Sequence, residues 1–178
     1  MAGLKLKSSK CEFFKPKITY LGHIVSAAGI ETDPKKIEAV KNWTLPKTVM
    51  DVCSFLGFTN HYRRFIQGYA KVTRPLNILI SGDNANHEKA LVKWNPECQQ
   101  AFDQLKELCT TTPILAYANY RKPFQLQTYT SDLGLGAVLY QHDDDGHQRV
   151  IAYASRRLSN TEKNYPAHKL EFLALKWP

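Results

Sequence analysis

The sequence predicts an α+β chain in which helices fill the first half and a three-stranded antiparallel sheet followed by one helix fills the second. Apolar residues recur at helical spacing between residues 33 and 80, whereas after Pro113 they follow the short alternating pattern of strands. The chain has 178 residues, 43% of them hydrophobic and 11% aromatic, which suits a packed core and argues against disorder.

The first half begins with two short β-rich runs around a turn at residues 15–17, so we expect a hairpin over residues 11–26. Asp33 before Pro34 is a helix start, and that helix should continue to Trp43. Thr48 and Asp51 form a start like a capping box, with Asp in place of the usual Glu, for a helix through residue 65. A third, shorter helix is predicted over residues 71–80, bent at Pro75.

Residues 81–93 are polar and contain Gly and Asn, so they are the predicted internal linker. Asn95 and Pro96 then start a helix with one apolar face. The predicted strands cover residues 113–117, 123–131, 134–141 and 148–158, with a hairpin loop at residues 142–147 and a last helix from Pro166 to Trp177.

Several classes of protein are disfavoured by what the sequence lacks. It has no run of about 18 apolar residues and no apolar segment after its N-terminal lysines, so we expect no membrane span and no secretion signal. The four cysteines are far apart, which favours reduced thiols in a cytoplasmic or nuclear protein. Phosphate-loop, dinucleotide-binding and serine-hydrolase motifs are also absent.

The net charge of +8 is unevenly distributed. Residues 1–82 contain thirteen Lys and Arg against five Asp and Glu, whereas residues 83–178 contain eleven of each. A basic half beside a neutral half indicates either a polyanion-binding surface, most commonly for nucleic acid, or simply a solvated lysine-rich surface.

The segment from Tyr62 to Phe65 is a candidate contact with nucleic acid. Arg63 and Arg64 are flanked by aromatics and follow Gly57, where a phosphate backbone could approach the helix closely. The alternative is that both arginines are ordinary surface residues.

Two sets of carboxylates are candidate metal ligands. The run from Asp143 to Asp145 is most simply a solvated turn between strands. Asp132 and Glu171 could be a metal pair for phosphodiester hydrolysis, but two carboxylates are few for a two-metal site.

Nine short segments, kept in order and spacing over nearly the whole chain, resemble the polyproteins of Ty3/gypsy-type LTR retrotransposons. They are residues 11–14, 20–26, 54–57, 62–66, 74–76, 94–99, 131–139, 151–156 and 162–165. The resemblance implies the last hairpin of a reverse transcriptase palm (1–32), a helical thumb-like unit (33–82), a linker and connecting helix (83–112) and the N-terminal half of an RNase H-like domain (113–178).

The resemblance also implies roles for individual residues. Tyr20, Leu21, Gly22 and His23 correspond to the primer-grip hairpin. Gly57, Asn60, Arg63 and Arg64 belong to a thumb segment lying along the template–primer duplex. Glu171 corresponds to a glutamate that binds Mg²⁺ on the first RNase H helix.

One departure from the family pattern concerns activity. Tyr129 stands where the family has its first metal-binding aspartate, and a neutral phenol is a poor ligand for Mg²⁺. Asp132, three residues further along a strand, would point to the opposite face. The other two RNase H aspartates would lie past Pro178, and no Tyr-x-Asp-Asp motif is present. Glu171 is then the only family carboxylate left, and Mg²⁺ should not bind productively.

Three hypotheses follow. The first is a retrotransposon-derived fragment that binds an RNA–DNA hybrid or DNA duplex without catalysis. The second is a piece of an active polyprotein with RNA-directed DNA polymerase and hybrid ribonuclease activities. The third is a domesticated protein-interaction module. Under any of them, an open sheet edge could allow self-association.

Overall fold

The computed structural model describes residues 13–81 and 89–178, together with Lys7 and Cys11. Its described part contains two three-stranded antiparallel sheets separated in sequence by helices, with one further helix after the second sheet. The predicted α+β class and the sheet of the second half are therefore confirmed.

The first sheet is a meander of β1 (Lys17–Tyr20), β2 (His23–Ser26) and β3 (Gly29–Thr32). The first hairpin turns at Leu21 and Gly22, which both have positive φ. The predicted turn at residues 15–17 was therefore wrong. The prediction of only two strands was also wrong, because β3 adds a third. The chain turns at Leu21 and Gly22 because glycine adopts the left-handed backbone conformation that a tight turn requires. The segment around Pro16 precedes β1 and does not form the turn.

The first two long helices begin where predicted but end earlier. The Asp33 side chain accepts from the Lys35 amide and caps α1 (Pro34–Lys41). Thr48 and Asp51 form a complete capping box at α2 (Val49–Asn60). The chain then makes a turn of 3-10 helix at Arg63–Phe65, so the predicted continuous helix through residue 65 was wrong.

The predicted third helix is two helices, α3 (Tyr69–Val72) and α4 (Arg74–Leu79). The break lies at Thr73, beside Pro75, which has no amide hydrogen to continue the ladder of the preceding turn.

The predicted linker is only partly within the described residues, since residues 82–88 lie outside them. Residues 90–92 are not a free connection: Val49 donates to the Ala90 carbonyl and Val92 to the Lys47 carbonyl, both at 3.0 Å. Asn95 caps α5 (Pro96–Thr110) as predicted. This helix packs against α1 and α4, in a buried helical core that includes Val52, Phe55, Leu76, Phe102 and Leu105.

The second sheet has the order β4 (Gln125–Ser131), β5 (Gly134–His142) and β6 (Gln148–Arg157). The predicted loop after β5 is confirmed. The predicted strand at residues 113–117 was wrong, because only Leu115 forms a bridge there, to Ile30. Asp132 lies in the turn between β4 and β5, so the expectation that it sits on a strand was also wrong.

Helix α6 (Ala167–Lys176) covers one face of this sheet, where Leu170 and Ala174 pack with Leu135 and Leu158. The helical segment 62–70 covers the opposite face, against β6. In the described part of the chain β4 pairs only with β5, so its outer edge is open there.

A buried joint connects the two sheets and the helices. Leu115 exchanges both backbone hydrogen bonds with Ile30 of β3, at 2.9 and 3.0 Å, and Ala116 donates to Val150 of β6 at 2.7 Å. The Leu115 side chain is fully buried against Tyr62 and Phe65. The two sheets therefore share a backbone connection as well as a side-chain core.

None of the helices in the described segments combines the length and the apolarity that crossing a bilayer requires.

Gly29 lies at this joint, where there is no space for a larger side chain. Its φ is +136°, and a Cβ there would overlap the Leu115 carbonyl. We expect Gly29→Ala to lower the free energy of unfolding by about 2–4 kcal/mol, measured by urea denaturation. Gly57→Ala is the matched control: it lies inside α2 with open space around it and should leave stability unchanged or slightly higher. Equal effects of the two substitutions would contradict this account.

Candidate nucleic-acid interface

An open groove of about 460 Å³ lies between the helical unit and strand β6. Helices α2 and α4 form one wall, and the end of β6 forms the other. Polar and basic side chains line much of it: Asn60, Arg63, Thr73, Asn77, Arg156 and Arg157. Gly57 lies on the same wall, with nothing within 4 Å of the position of a Cβ. The helix backbone is therefore open to a ligand at this point.

The three arginines of the groove differ in how far they are neutralised. Arg156 makes a two-point ion pair with Glu162, at 2.8 and 2.9 Å, and its guanidinium lies 5.5 Å from the centre of the Trp177 ring. This partner holds the pKa of Glu162 down to about 2. Arg63 reaches only the Ser155 carbonyl, at 3.4 Å, and stays exposed, as does Arg157. Neither forms an ion pair with a carboxylate among the described residues. Arg63 and Arg157 are therefore the two groove cations available to an anion.

Arg64 lies outside this groove. It is half-buried beside the Phe65 ring and reaches the Ile151 carbonyl at 3.5 Å. Its Nε is buried without a hydrogen-bond partner in the described part of the chain. The two adjacent arginines therefore have different surroundings: Arg63 faces the groove and Arg64 faces the sheet.

The hairpin of β1 and β2 is a separate exposed element. Tyr20 and Leu21 are 62% and 71% exposed at its tip. The Leu21 carbonyl lies 3.0 Å from His61 Nε2, and the Tyr62 hydroxyl donates to the Gly22 carbonyl at 3.3 Å. Burial raises the pKa of Tyr62 to about 12, so this donor keeps its proton. The backbone of the hairpin tip is thus held against the residues that follow α2, while the side chains of Tyr20 and Leu21 stay exposed.

The environment of His23 in this hairpin is unfavourable for its protonated form. Its ring stacks on His61 at 4.7 Å, and its Nδ1 is buried without a partner among the described residues. Burial, followed by the nearby His61 and Arg64, holds the pKa of His23 below its usual range. A second ring proton there would have no acceptor.

Tyr129 and Glu171 do not form a metal site. Tyr129 is paired directly with Gly136 and points to the face covered by the helical segment, whereas Glu171 is exposed on α6, across the sheet. Burial raises the pKa of Tyr129, so the phenol stays neutral near pH 7. The Mg²⁺ implied by the resemblance therefore does not fit this donor set, because that ion requires several converging hard oxygens.

The loop of Asp143, Asp145 and His147 is the one group of three metal-ligating side chains close together in the described ranges. Asp143 Oδ1 already accepts from the amides of Asp145 and His147, at 3.1 and 2.8 Å. These bonds are those of an Asx turn, as the solvated-turn interpretation predicted.

The structure brings together only part of the predicted site. Gly57, Asn60 and Arg63 share the groove, whereas the hairpin of Tyr20 to His23 contacts His61 and Tyr62 just after α2 and does not line the groove. Sequence reasoning missed Arg157 and Asn77. Arg156 and Arg157 are adjacent in the sequence, but the balanced charge of the second half gives no sign that Arg157 lacks a carboxylate partner among the described residues.

Comparison with known proteins identifies the family. Residues 94–178 match the family described as the RNase H-like domain found in reverse transcriptase. The Pol polyproteins of the Drosophila melanogaster transposons opus and gypsy are 41% and 36% identical, each over 99% of this chain. The Tf2-3 polyprotein of Schizosaccharomyces pombe is 32% identical over 98%. The homologues that cover nearly the whole chain are therefore Ty3/gypsy-type Pol polyproteins. The chain spans less than a fifth of these relatives, at 18%, 17% and 13% of their lengths.

Solved structures agree on the fold. Foamy viral protease-reverse transcriptase in complex with dsDNA superposes with a TM-score of 0.77 at 22% identity, over 90% of this chain and 32% of that one. The same enzyme in complex with an RNA/DNA hybrid gives 0.76 at 21% identity, over 90% of this chain and 21% of that one. At this identity, the likeness establishes that this Pol segment has a reverse transcriptase fold.

The His23 environment predicts that stability depends on pH. The folded pKa lies below the ordinary value of 6.5, so the unfolded chain binds the proton more readily. We expect the urea midpoint to fall as the pH drops below about 6.5. His23→Gln should reduce this dependence, whereas His168→Gln, at an exposed position of α6, should not. An unchanged pH profile in His23→Gln would refute the assignment.

Proposed function

We propose that this Pol segment binds nucleic-acid duplex, either RNA–DNA hybrid or DNA, in the groove between α2 and β6, and does not hydrolyse it. The observation that carries the proposal is the placement of Arg63 and Arg157 on the two walls of one groove, with no carboxylate paired to either among the described residues. Two such cations can contact phosphates without reading the base sequence.

The remaining groove residues suit the same ligand. The Asn60 amide can donate to phosphate or sugar oxygens, as can the second amide hydrogen of Asn77, whose Nδ2 already donates to the Thr73 carbonyl at 2.9 Å. Gly57 leaves room for a backbone to approach α2. The surplus of eight positive charges in residues 1–82 adds attraction that carries no sequence preference. The foamy viral relatives in complex with dsDNA and with RNA/DNA hybrid support this class of ligand.

The hairpin tip offers a second contact. Tyr20 and Leu21 are exposed at the end of α2, where an aromatic and an apolar side chain could support a strand end, as the resemblance to a primer grip implies. Arg64 is less suited to a phosphate contact, because it is turned towards the sheet.

The binding proposal predicts a salt-dependent affinity that falls when either groove cation is removed. We expect Arg63→Ala and Arg157→Ala each to raise the dissociation constant roughly two- to fivefold, because this is the effect of losing one exposed ion pair. Each should also reduce the slope of log K against log salt by about one. The measurement is fluorescence anisotropy of the full chain with labelled hybrid and DNA duplexes of two sequences.

Arg121→Ala is the matched control, since Arg121 is exposed and lies outside the groove. It should leave the affinity unchanged. Equal losses at positions 63, 121 and 157 would indicate a general charge effect and overturn the groove assignment.

We also propose that the chain does not cleave the RNA strand of a hybrid. Two-metal hydrolysis needs several carboxylates around both ions, and Tyr129 and Glu171 lie on different sides of the sheet. Tyr129→Asp alone should therefore not give cleavage. The assay is a labelled RNA–DNA hybrid with Mg²⁺ or Mn²⁺, and metal-dependent cleavage that is lost in Glu171→Gln would contradict the proposal.

A protein-interaction role remains a second candidate, favoured by the outer edge of β4, which is open among the described residues. An open edge of seven residues can pair with a second copy. Size-exclusion chromatography over a concentration series distinguishes the two candidates, because duplex binding does not require a concentration-dependent oligomer.

A further inference from the structure

Tyr129 and Gly136 are direct partners across β4 and β5, and the tyrosine ring lies in the space that a side chain at position 136 would occupy. A Cβ built on Gly136 would overlap the ring and its hydroxyl. The glycine therefore allows the ring to lie close against the sheet instead of standing away from it.

Ser155 continues the same row, because it is the partner of Gly136 on β6. Its hydroxyl accepts from the Ala70 amide at 2.9 Å. At the other end of the row, Tyr129 lines the same small cavity as Gly68, Ala70 and Lys71, and the Gln67 side chain and the Gly68 backbone lie near enough to its hydroxyl to influence its pKa. The segment 67–70 is thus held at both ends of one row of three residues, which we call the docking row (Tyr129, Gly136 and Ser155).

This contact determines how the groove walls are placed. Ala70 and Ser155, which bond to each other, both line the groove that contains Arg63 and Arg157. Arg63 precedes the docked segment by four residues, and Arg157 follows Ser155 by two. Any movement of segment 67–70 on the sheet would therefore change the separation of the two cations.

We infer that Tyr129 is a positioning residue: it fixes segment 67–70 on the docking row and thereby sets the spacing of Arg63 and Arg157. The part concerning affinity rests on the proposed duplex binding, whereas the docking itself does not. An aspartate at this position would be too short to fill the space above Gly136 and would place a charge against the docked segment. The residue that does not fit a metal ion is therefore suited to joining the two units.

The test compares Tyr129→Phe with the wild-type chain by amide hydrogen exchange and by duplex binding. Loss of the hydroxyl should raise the rate of amide exchange in residues 67–72 and 151–157 roughly fivefold, which is the effect of losing one hydrogen bond. The exchange rates in α5 should not change. The dissociation constant for a labelled RNA–DNA hybrid should rise roughly two- to fivefold, with the same salt slope, because no charge is lost. Tyr120→Phe, at an 87% exposed tyrosine, is the matched control and should change neither quantity.

A second pair of variants tests the role of the glycine. Gly136→Ala should displace the ring and speed exchange in the same two segments, whereas adding it to Tyr129→Ala should have little further effect. Both comparisons are made at a temperature where circular dichroism shows every variant folded.

The outcomes separate the two parts of the inference. Unchanged exchange in residues 67–72 of Tyr129→Phe would overturn the docking role. Faster local exchange with unchanged affinity would overturn the positioning role. If the wild-type chain binds no duplex, the proposed function and the affinity part both fail, and the exchange comparison still decides the docking role.

Discussion

The packing of residues 62–70 and 115–116 against β6 is the constraint on which the rest of the structure depends. Leu115 and Ala116 satisfy backbone groups on β3 and on β6, so one short segment ties the two sheets together. Tyr62 and Phe65 bury the Leu115 side chain from the helical side. Unpaired backbone groups at such a buried position would be costly, so the joint favours one arrangement of the units. In this arrangement the groove lies between α2 and the end of β6.

The electrostatics of the groove follow from that arrangement. The turn after α2 gives two adjacent arginines different surroundings, because Arg63 is exposed in the groove and Arg64 is half-buried beside the Phe65 ring, although each reaches a carbonyl of β6. The next arginine pair also differs in its surroundings, because Arg156 has Glu162 as a partner and Arg157 has no carboxylate among the described residues. Charge totals for each half could not reveal this, since an arginine paired with glutamate and an exposed arginine count equally in them.

Local signals in the sequence predicted much of the fold. The caps at Asp33, Thr48 and Asn95 predicted the starts of three helices, and alternation predicted the strands of the second sheet. The wrong predictions share a cause. Contacts between distant parts of the chain outweigh the preference of a short segment for helix or strand. Leu115 lies in an apolar, strand-like run, yet its partners allow only a bridge. Helix α1 ends where it packs on α5, and α2 ends just before the segment 63–65 that packs on β6, and no local pattern reports these contacts. The break at Thr73, by contrast, follows from the nearby Pro75. The groove residue Arg157 was missed for the same reason.

Tyr129 shows how a departure from a family pattern can be interpreted from structure. Read in isolation, a tyrosine at a carboxylate position indicates only that a ligand has been lost. In the fold it is part of a row whose central glycine has no side chain and whose far end bonds to the helical segment. A phenol extends about as far as this contact requires, and because burial raises its pKa it stays uncharged against the helical segment. The geometry needed to ligate a metal and the geometry needed to fill this space exclude each other. The same side chain is therefore a poor ligand for Mg²⁺ and, as we infer, a connection between the two walls of the groove.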